Sequence, residues 1–232
     1  MKLAAIVAGF TGVVIFSTLI ATLTTALNGA IANLKKGHSR VLESEHVLIV
    51  GWSQRVTEIL RELVEANESE DDPVVVIMSE KEKPWMDEYL RSNFEGSGNT
   101  RIVTRHGNPA SPDCLLHVSA ADAKSVIVLA NCDDNASEYD QLASDARGIK
   151  VVLALETAAP DATFPIVTEL FLERNRHVVM DMLPERVKVI DSEEILAKVM
   201  VQTSRTSGLS VVYSELLSFE GCELYITQAD WQ

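Results

Sequence analysis

The stretch from His46 to Val64 constrains the fold of this chain more than any other. Residues His46 to Val50 form a short apolar run, which Gly51 breaks. From Val56 onward the apolar positions are Val56, Ile59, Leu60, Leu63 and Val64, the spacing of one face of an amphipathic helix. A buried strand, a glycine turn and a helix in that order make the opening unit of a nucleotide-binding α/β domain. Ser53 is placed to cap the helix, since its hydroxyl can accept from the free N–H groups of the first turn.

The turn is degenerate. A dinucleotide fingerprint reads G-x-G-x-x-G, whereas this chain reads Gly51-Trp52-Ser53-Gln54-Arg55-Val56. Only the glycine needed for the tight turn survives. Ser53 puts a Cβ where a pyrophosphate needs close backbone approach, and Val56 stands where the helix packs on the strand. The fold is legible here, and a dinucleotide in the usual pose is disfavoured.

Further along, alternating elements argue a parallel sheet with right-handed crossovers. Strands are expected at 74–78, 101–104, 125–130 and 150–155, and helices at 84–94, 112–118 and from about 136 to Arg147, with Gly148 as the C-cap of the last. Beyond Glu156 the pattern changes. Short strands are expected at 165–172, 187–190 and 222–227, with helices at 191–203 and 209–219. These later elements read as a bridging or dimerising extension rather than more of the sheet. The expected divisions are a membrane helix over 1–34, a linker over 35–45, the α/β domain over 46–156 and the extension over 157–232.

Leu3 to Leu27 carries no charged residue. As a helix this stretch extends about 37 Å, enough to cross a hydrocarbon core with some tilt. Lys35, Lys36 and Arg40 follow, with His38 among them. By the positive-inside tendency that end, and the domain after it, lies in the cytoplasm. Membrane lipid is therefore an expected partner. Gly9, Thr11, Gly12, Ser17, Thr18, Thr22, Thr24 and Thr25 make the segment rich in small and hydroxyl residues, which suit close helix packing or a wet lumen. A plain single-pass anchor is an alternative. A cleaved signal peptide, suggested by Ala30-Ile31-Ala32, is disfavoured because the apolar stretch far exceeds a signal h-region.

The chain has 34 acidic against 20 basic side chains and a net charge of −14, which disfavours a nucleic-acid partner. Its three cysteines, Cys114, Cys132 and Cys222, are far apart and make neither a disulfide framework nor a zinc site. No catalytic motif and no histidine pair at ligand spacing is present, so an enzyme is not expected. The richest polar spots lie at the carboxyl ends of the expected strands, where an open α/β sheet binds ligands. The candidate ligand-binding residues are Gly51, Ser53, Gln54, Glu80, Asn108 and Asp133. Glu80 ends the second strand, where such domains place a ribose-binding carboxylate; it is equally readable as a solvated charge in SEKEK. Asp133, Asp134 and Asn135 could offer oxygens to calcium, or could simply start a helix from a solvated acidic turn.

Several segments together resemble the CASTOR/POLLUX family of ion channels. They are HVLIVGWS at 46–53, RHGNP at 105–109, SVIVLA at 125–130, SDARGIKVVLALE at 144–156, IVTEL at 166–170 and ILAKVMVQTSRTSGL at 195–209. The resemblance implies a pore inner helix running into a Rossmann-like domain that regulates conductance (an RCK domain). It further implies a homotetramer with a cytoplasmic gating ring, a permeant or regulatory cation, and possible calcium regulation, with a nucleotide as the lesser alternative. Family members have further membrane helices, a selectivity filter and a second regulatory domain, so this chain is expected to be a fragment that does not conduct selectively by itself. Asn108 stands where related domains often carry an Asp, which weakens charge-based binding there. Two other readings stay open: a membrane-anchored nucleotide-binding oxidoreductase, disfavoured by the missing glycines, and a membrane-tethered interaction module.

Overall fold

A computed structural model describes residues 2–35, 37, 39–133 and 135–219. The strand expected at 222–227, together with Lys36, His38 and Asp134, lies outside the described residues. The chain opens with α1 (Lys2–Lys35). Within it, the 19 residues Thr11–Gly29 are long and apolar enough to cross a membrane by length and composition. The hydroxyls of Thr18, Thr22 and Thr25 donate to the carbonyls of Val14, Leu19 and Ala21 at 2.8–2.9 Å. This back-bonding satisfies them inside the helix, so these threonines do not by themselves require a wet lumen.

The domain that follows is built on β1 (His46–Val50), α2 (Val56–Ala66), β2 (Val74–Ser79), α3 (Lys83–Asn93), β3 (Arg101–His106), α4 (Pro112–His117), β4 (Ala123–Val128), α5 (Glu138–Ala158), β5 (Ile166–Glu169), α6 (Glu173–Met182), β6 (Val187–Ile190), α7 (Ser192–Arg205) and α8 (Leu209–Leu217). All its strand pairs are parallel, in the order β3-β2-β1-β4-β5-β6. That is the strand order of a Rossmann sheet, whose direction of winding reverses between β1 and β4. The α/β fold read from sequence is the fold observed.

Alternation along the strands explains the layers. Leu48 and Val50 of β1 join Val76, Met78, Leu115, Val126 and Leu155 in one buried cluster. Ile49, between them in sequence, points the other way, to Val56, Leu60, Val75, Ile77 and Leu90. Thus α2 and α3 cover one face of the sheet, while α4 and α5 cover the other.

The region after Arg147 corrects the expectation. Residues 150–155 are not a strand; they are the last turns of α5, and Gly148 lies inside the helix rather than capping it. The run VVLALE suits a buried helix as well as a buried strand, and the buried positions of α5, Ser144, Asp145, Gly148, Val151, Val152 and Leu155, keep helical spacing. Gly148 serves packing: a Cβ there would lie 3.2 Å from Leu170 Cδ2. The sheet also continues beyond Glu156, because β5 and β6 pair onto β4 in sequence. The residues expected to form only an extension thus supply one edge of the sheet.

Residues 39–45, ahead of β1, form a strap fastened to the domain. Val41 is fully buried. Its N–H donates to the His117 carbonyl at 2.7 Å, and its own carbonyl accepts the Ser119 hydroxyl at 2.7 Å. Arg101 pairs with Glu43 at 2.5 Å, Arg105 Nε donates to the Ser39 carbonyl at 2.9 Å, and the Glu45 N–H to the Asp122 carbonyl at 2.8 Å.

Candidate functional site

The carboxyl ends of β1, β2 and β4 open onto a cleft of about 510 Å³, walled by Gly51, Trp52, Glu80, Asn108, Asn131 and Arg147 among others. Beside it lies a hollow of about 290 Å³ that includes Ser53, Gln54, Trp85, Tyr89 and Asp133. Trp52, Lys81 and Asn131 line both. Every candidate residue read from the sequence therefore reaches this strand-end region, with Gly51, Glu80 and Asn108 in the larger part and Ser53, Gln54 and Asp133 in the smaller.

Gly51 is the turn. Its φ is +104°, and a Cβ would come within 3.1 Å of the Leu129 carbonyl oxygen. Its N–H donates to the Met78 carbonyl at 2.8 Å, so this amide is already committed to the sheet. Ser53 differs from the expected cap: the residue flanking α2 is Arg55, and the Ser53 hydroxyl accepts the Arg55 N–H at 3.3 Å, ahead of the first turn. The hydroxyl occupies one of the amides that a pyrophosphate would use in a G-x-G-x-x-G turn, which agrees with the degenerate motif. Asn108 turns its Oδ1 back to accept the Ala110 N–H at 2.9 Å. Gln54, Glu80 and Asp133 are exposed.

Trp85, Tyr89 and the α5 wall of the site were not legible. Trp52 meets Trp85 and Tyr89 edge-on, each at 5.4 Å between ring centroids, and the Lys81 ammonium lies 5.4 Å from the Trp85 ring centre. Trp85 and Tyr89 are four apart on α3, and that i, i+4 spacing of aromatics is the signal that could have found them. Ser144, Arg147, Gly148 and Val151 form the α5 wall of the cleft, and Ser144 Oγ accepts the Asn131 N–H at 2.9 Å. Reading 150–155 as a strand hid that wall. Arg147 and Lys150 have no ion-pair partner among the described residues. Burial pushes the Cys132 thiol above its usual range. No group of three or more His, Cys, Asp or Glu side chains among the described residues is arranged to hold a metal ion.

One ionic joint ties this end of the sheet to its far edge. Glu169, at the end of β5, accepts from Arg55 and from the Ser192 hydroxyl. Arg176 pairs with Asp191 at 2.6 Å beside it.

Comparison with known proteins places these features. Residues 43–168 match the family described as calcium-activated potassium channel slowpoke-like RCK domain. Residues 193–230 match the family described as Castor and Pollux, part of voltage-gated ion channel. The chain is 33% identical over 216 residues to the probable ion channel POLLUX of Arabidopsis thaliana, covering 93% of this chain and 25% of that protein. It is 31% identical over 226 residues to the ion channel CASTOR of Lotus japonicus, covering 97% of this chain and 26% of that protein. The chain thus spans about a quarter of the length of these relatives. Among solved structures, the human SLO3 gating ring aligns with a TM-score of 0.49 at 18% identity, over 80% of this chain and 31% of that one.

Proposed function

This chain belongs to the CASTOR/POLLUX family of ion channels and carries a slowpoke-like RCK domain, and from that premise we propose that it is the pore-lining helix and gating-ring domain of a tetrameric cation channel. The relatives are named as ion channels, not as enzymes. The observation that carries the reading is the join between α1 and the sheet. A helix long enough to span a bilayer leads within a few residues into the fastened strap, and the strap leads directly into β1, the strand beside the crevice. A change at the crevice is therefore close, through covalent and hydrogen-bonded structure, to the foot of the helix. That is the arrangement needed for a ligand to bias a pore, provided it binds one arrangement of the ring better than another. The permeant ion in this reading is a monovalent cation or calcium.

The ligand belongs in the strand-end crevice. Its α5 wall offers Arg147 and Lys150, and Lys81 lines it beside Glu80. This balance supports a small ligand carrying a phosphate or carboxylate. Calcium at Glu80 or Asp133 is the second reading, supported by the acids at the strand ends; it needs oxygens from outside this crevice, since calcium takes six to eight ligands.

The test is the oligomeric state of the chain in detergent, together with its thermal stability in calcium, NAD, ADP and ATP, each added alone. A tetramer, with melting raised by one of these ligands and the rise abolished by Arg147→Gln or, for calcium, by Glu80→Gln, supports the proposal. A monomer whose melting is unmoved by every ligand overturns it.

A further inference from the structure

A separate hollow of about 260 Å³ lies beneath the strap, lined by Ser39, Arg105, His106, Cys114 and His117 among others. It shares Asn108 with the crevice and no other lining residue. Acids outnumber bases 34 to 20 in this chain, yet no carboxylate lines the hollow, while an arginine and two histidines do.

Arg105 is half-buried, and its surroundings do not neutralise it. Its Nε and Nη1 donate to the carbonyls of Ser39 and Thr104, both at 2.9 Å, and these are neutral acceptors. Its Nη2 has no acceptor among the described residues. Glu43 and Asp87 act on Arg105 only through space, because each is bonded elsewhere: Glu43 to Arg101 at 2.5 Å, Asp87 to Lys83 at 2.7 Å and to the Thr104 hydroxyl. Desolvation correspondingly pulls the Arg105 pKa below the usual guanidinium value. A part-buried cation with no directly bonded counter-charge is unfavourable, and an anion that accepts from its fork relieves it. His106 Nδ1 lies 3.1 Å from the Lys81 carbonyl, which can only accept, so Nδ1 carries the hydrogen in that contact. The hollow falls below the usual range for drug-sized ligands, about 300–1,000 Å³, so a small oxyanion suits it better than a nucleotide.

We propose that this hollow binds a terminal phosphate group, held by Arg105 with His106 and His117, at the foot of the membrane-spanning helix. Ser39 lies four residues beyond Lys35, where α1 ends. Two sources present the same chemistry at that place: the terminal phosphate of phosphatidic acid, and free phosphate. Because Arg105 also holds the Ser39 carbonyl, an anion seated on it fixes the guanidinium and the strap together. This site is independent of the crevice ligand proposed above.

The experiment is calorimetric titration of the full chain in zwitterionic detergent with sodium phosphate, and separately with dioctanoyl phosphatidic acid. Saturable binding is expected, weakened at least tenfold by Arg105→Gln and retained by Arg105→Lys. Arg91→Gln, which removes an exposed charge from α3, and Arg147→Gln, in the crevice, are expected to leave it unchanged. Binding of the lipid alone, dependent on Arg105, assigns the headgroup as the source; equal binding of both assigns soluble phosphate. Should Arg105→Gln fail to fold, His117→Asn carries the test and must weaken binding at least threefold. Absence of saturable binding by either probe, or equal losses in the Arg105, Arg91 and Arg147 variants, overturns the proposal.

Discussion

Asp145 and Leu172 lie 27 residues apart, and the carboxylate of the first accepts the backbone N–H of the second at 3.0 Å. The same carboxylate accepts the Phe171 N–H at 2.9 Å and the Asn175 side-chain amide at 2.8 Å. Asp145 is 1% exposed. A buried side chain from the middle of α5 thus caps α6, a helix it does not belong to, and the anion sits at that helix's N-terminus, where the dipole favours it. Asp145→Ala would strand these donors and is expected to destabilise the domain by about 3 kcal/mol, with Asp145→Asn milder. Denaturant unfolding of the two variants checks both the size and the order.

Gly51 is the second sensitive point. Gly51→Ala combines a positive φ with a Cβ 3.1 Å from the Leu129 carbonyl oxygen, and a cost of about 2 kcal/mol is expected. The strain falls on the turn between β1 and α2, so ligand-induced stabilisation at the crevice should shrink along with the melting temperature. Equal melting of variant and parent would contradict the turn geometry.

His46 makes stability depend on pH. It is fully buried at the start of β1, and its ring nitrogens make no hydrogen bond of normal geometry among the described residues. Burial lowers its pKa below 6.5. A lowered folded-state pKa means the unfolded chain binds the proton more readily, so this contribution is intact above about pH 6.5 and is lost as pH falls below that value. The slope is at most about 1.4 kcal/mol per pH unit. In His46→Leu the part of the acid limb just below pH 6.5 should flatten, which unfolding of both proteins measured in parallel would reveal.

Ser119 fastens the strap, its hydroxyl meeting the buried Val41 carbonyl at 2.7 Å from a left-handed backbone position with φ of 50°. Ser119→Ala removes the donor and leaves the carbonyl short of a partner. About 1–2 kcal/mol of local stability should go, seen as faster amide exchange at residues 39–45 with little change at β2. Uniformly faster exchange across the sheet would mean that the strap does not open separately.

These features were unequally legible in the sequence. The central strands could be read because β1, β2 and β4 are short apolar runs bounded by turn residues, and a strand buried on both faces needs little else. The crevice residues could be placed because strand ends are fixed by topology: once Gly51 and Ser79-Glu80 end neighbouring parallel strands, they must lie side by side. Lys150 to Leu155 misled because its five consecutive apolar residues, Val151 to Leu155, have no period of their own, and Gly148 was read as a stop when it serves close packing on Leu170. The Arg55–Glu169 joint and the Asp145 cap were hidden for a different reason. They link residues 114 and 26–30 positions apart, and such pairings leave no local trace.

The strap behaves as a lap joint. It is attached at intervals, through Ser39 to Arg105, through Val41 to His117 and Ser119, through Glu43 to Arg101 and through Glu45 to Asp122. A load along its length divides among these attachments in parallel, whereas a load that lifts the Gly37 end meets them one after another and peels them. The joint is therefore stiff when α1 slides along the strap and compliant when α1 tilts away, so it transmits the two directions of movement unequally.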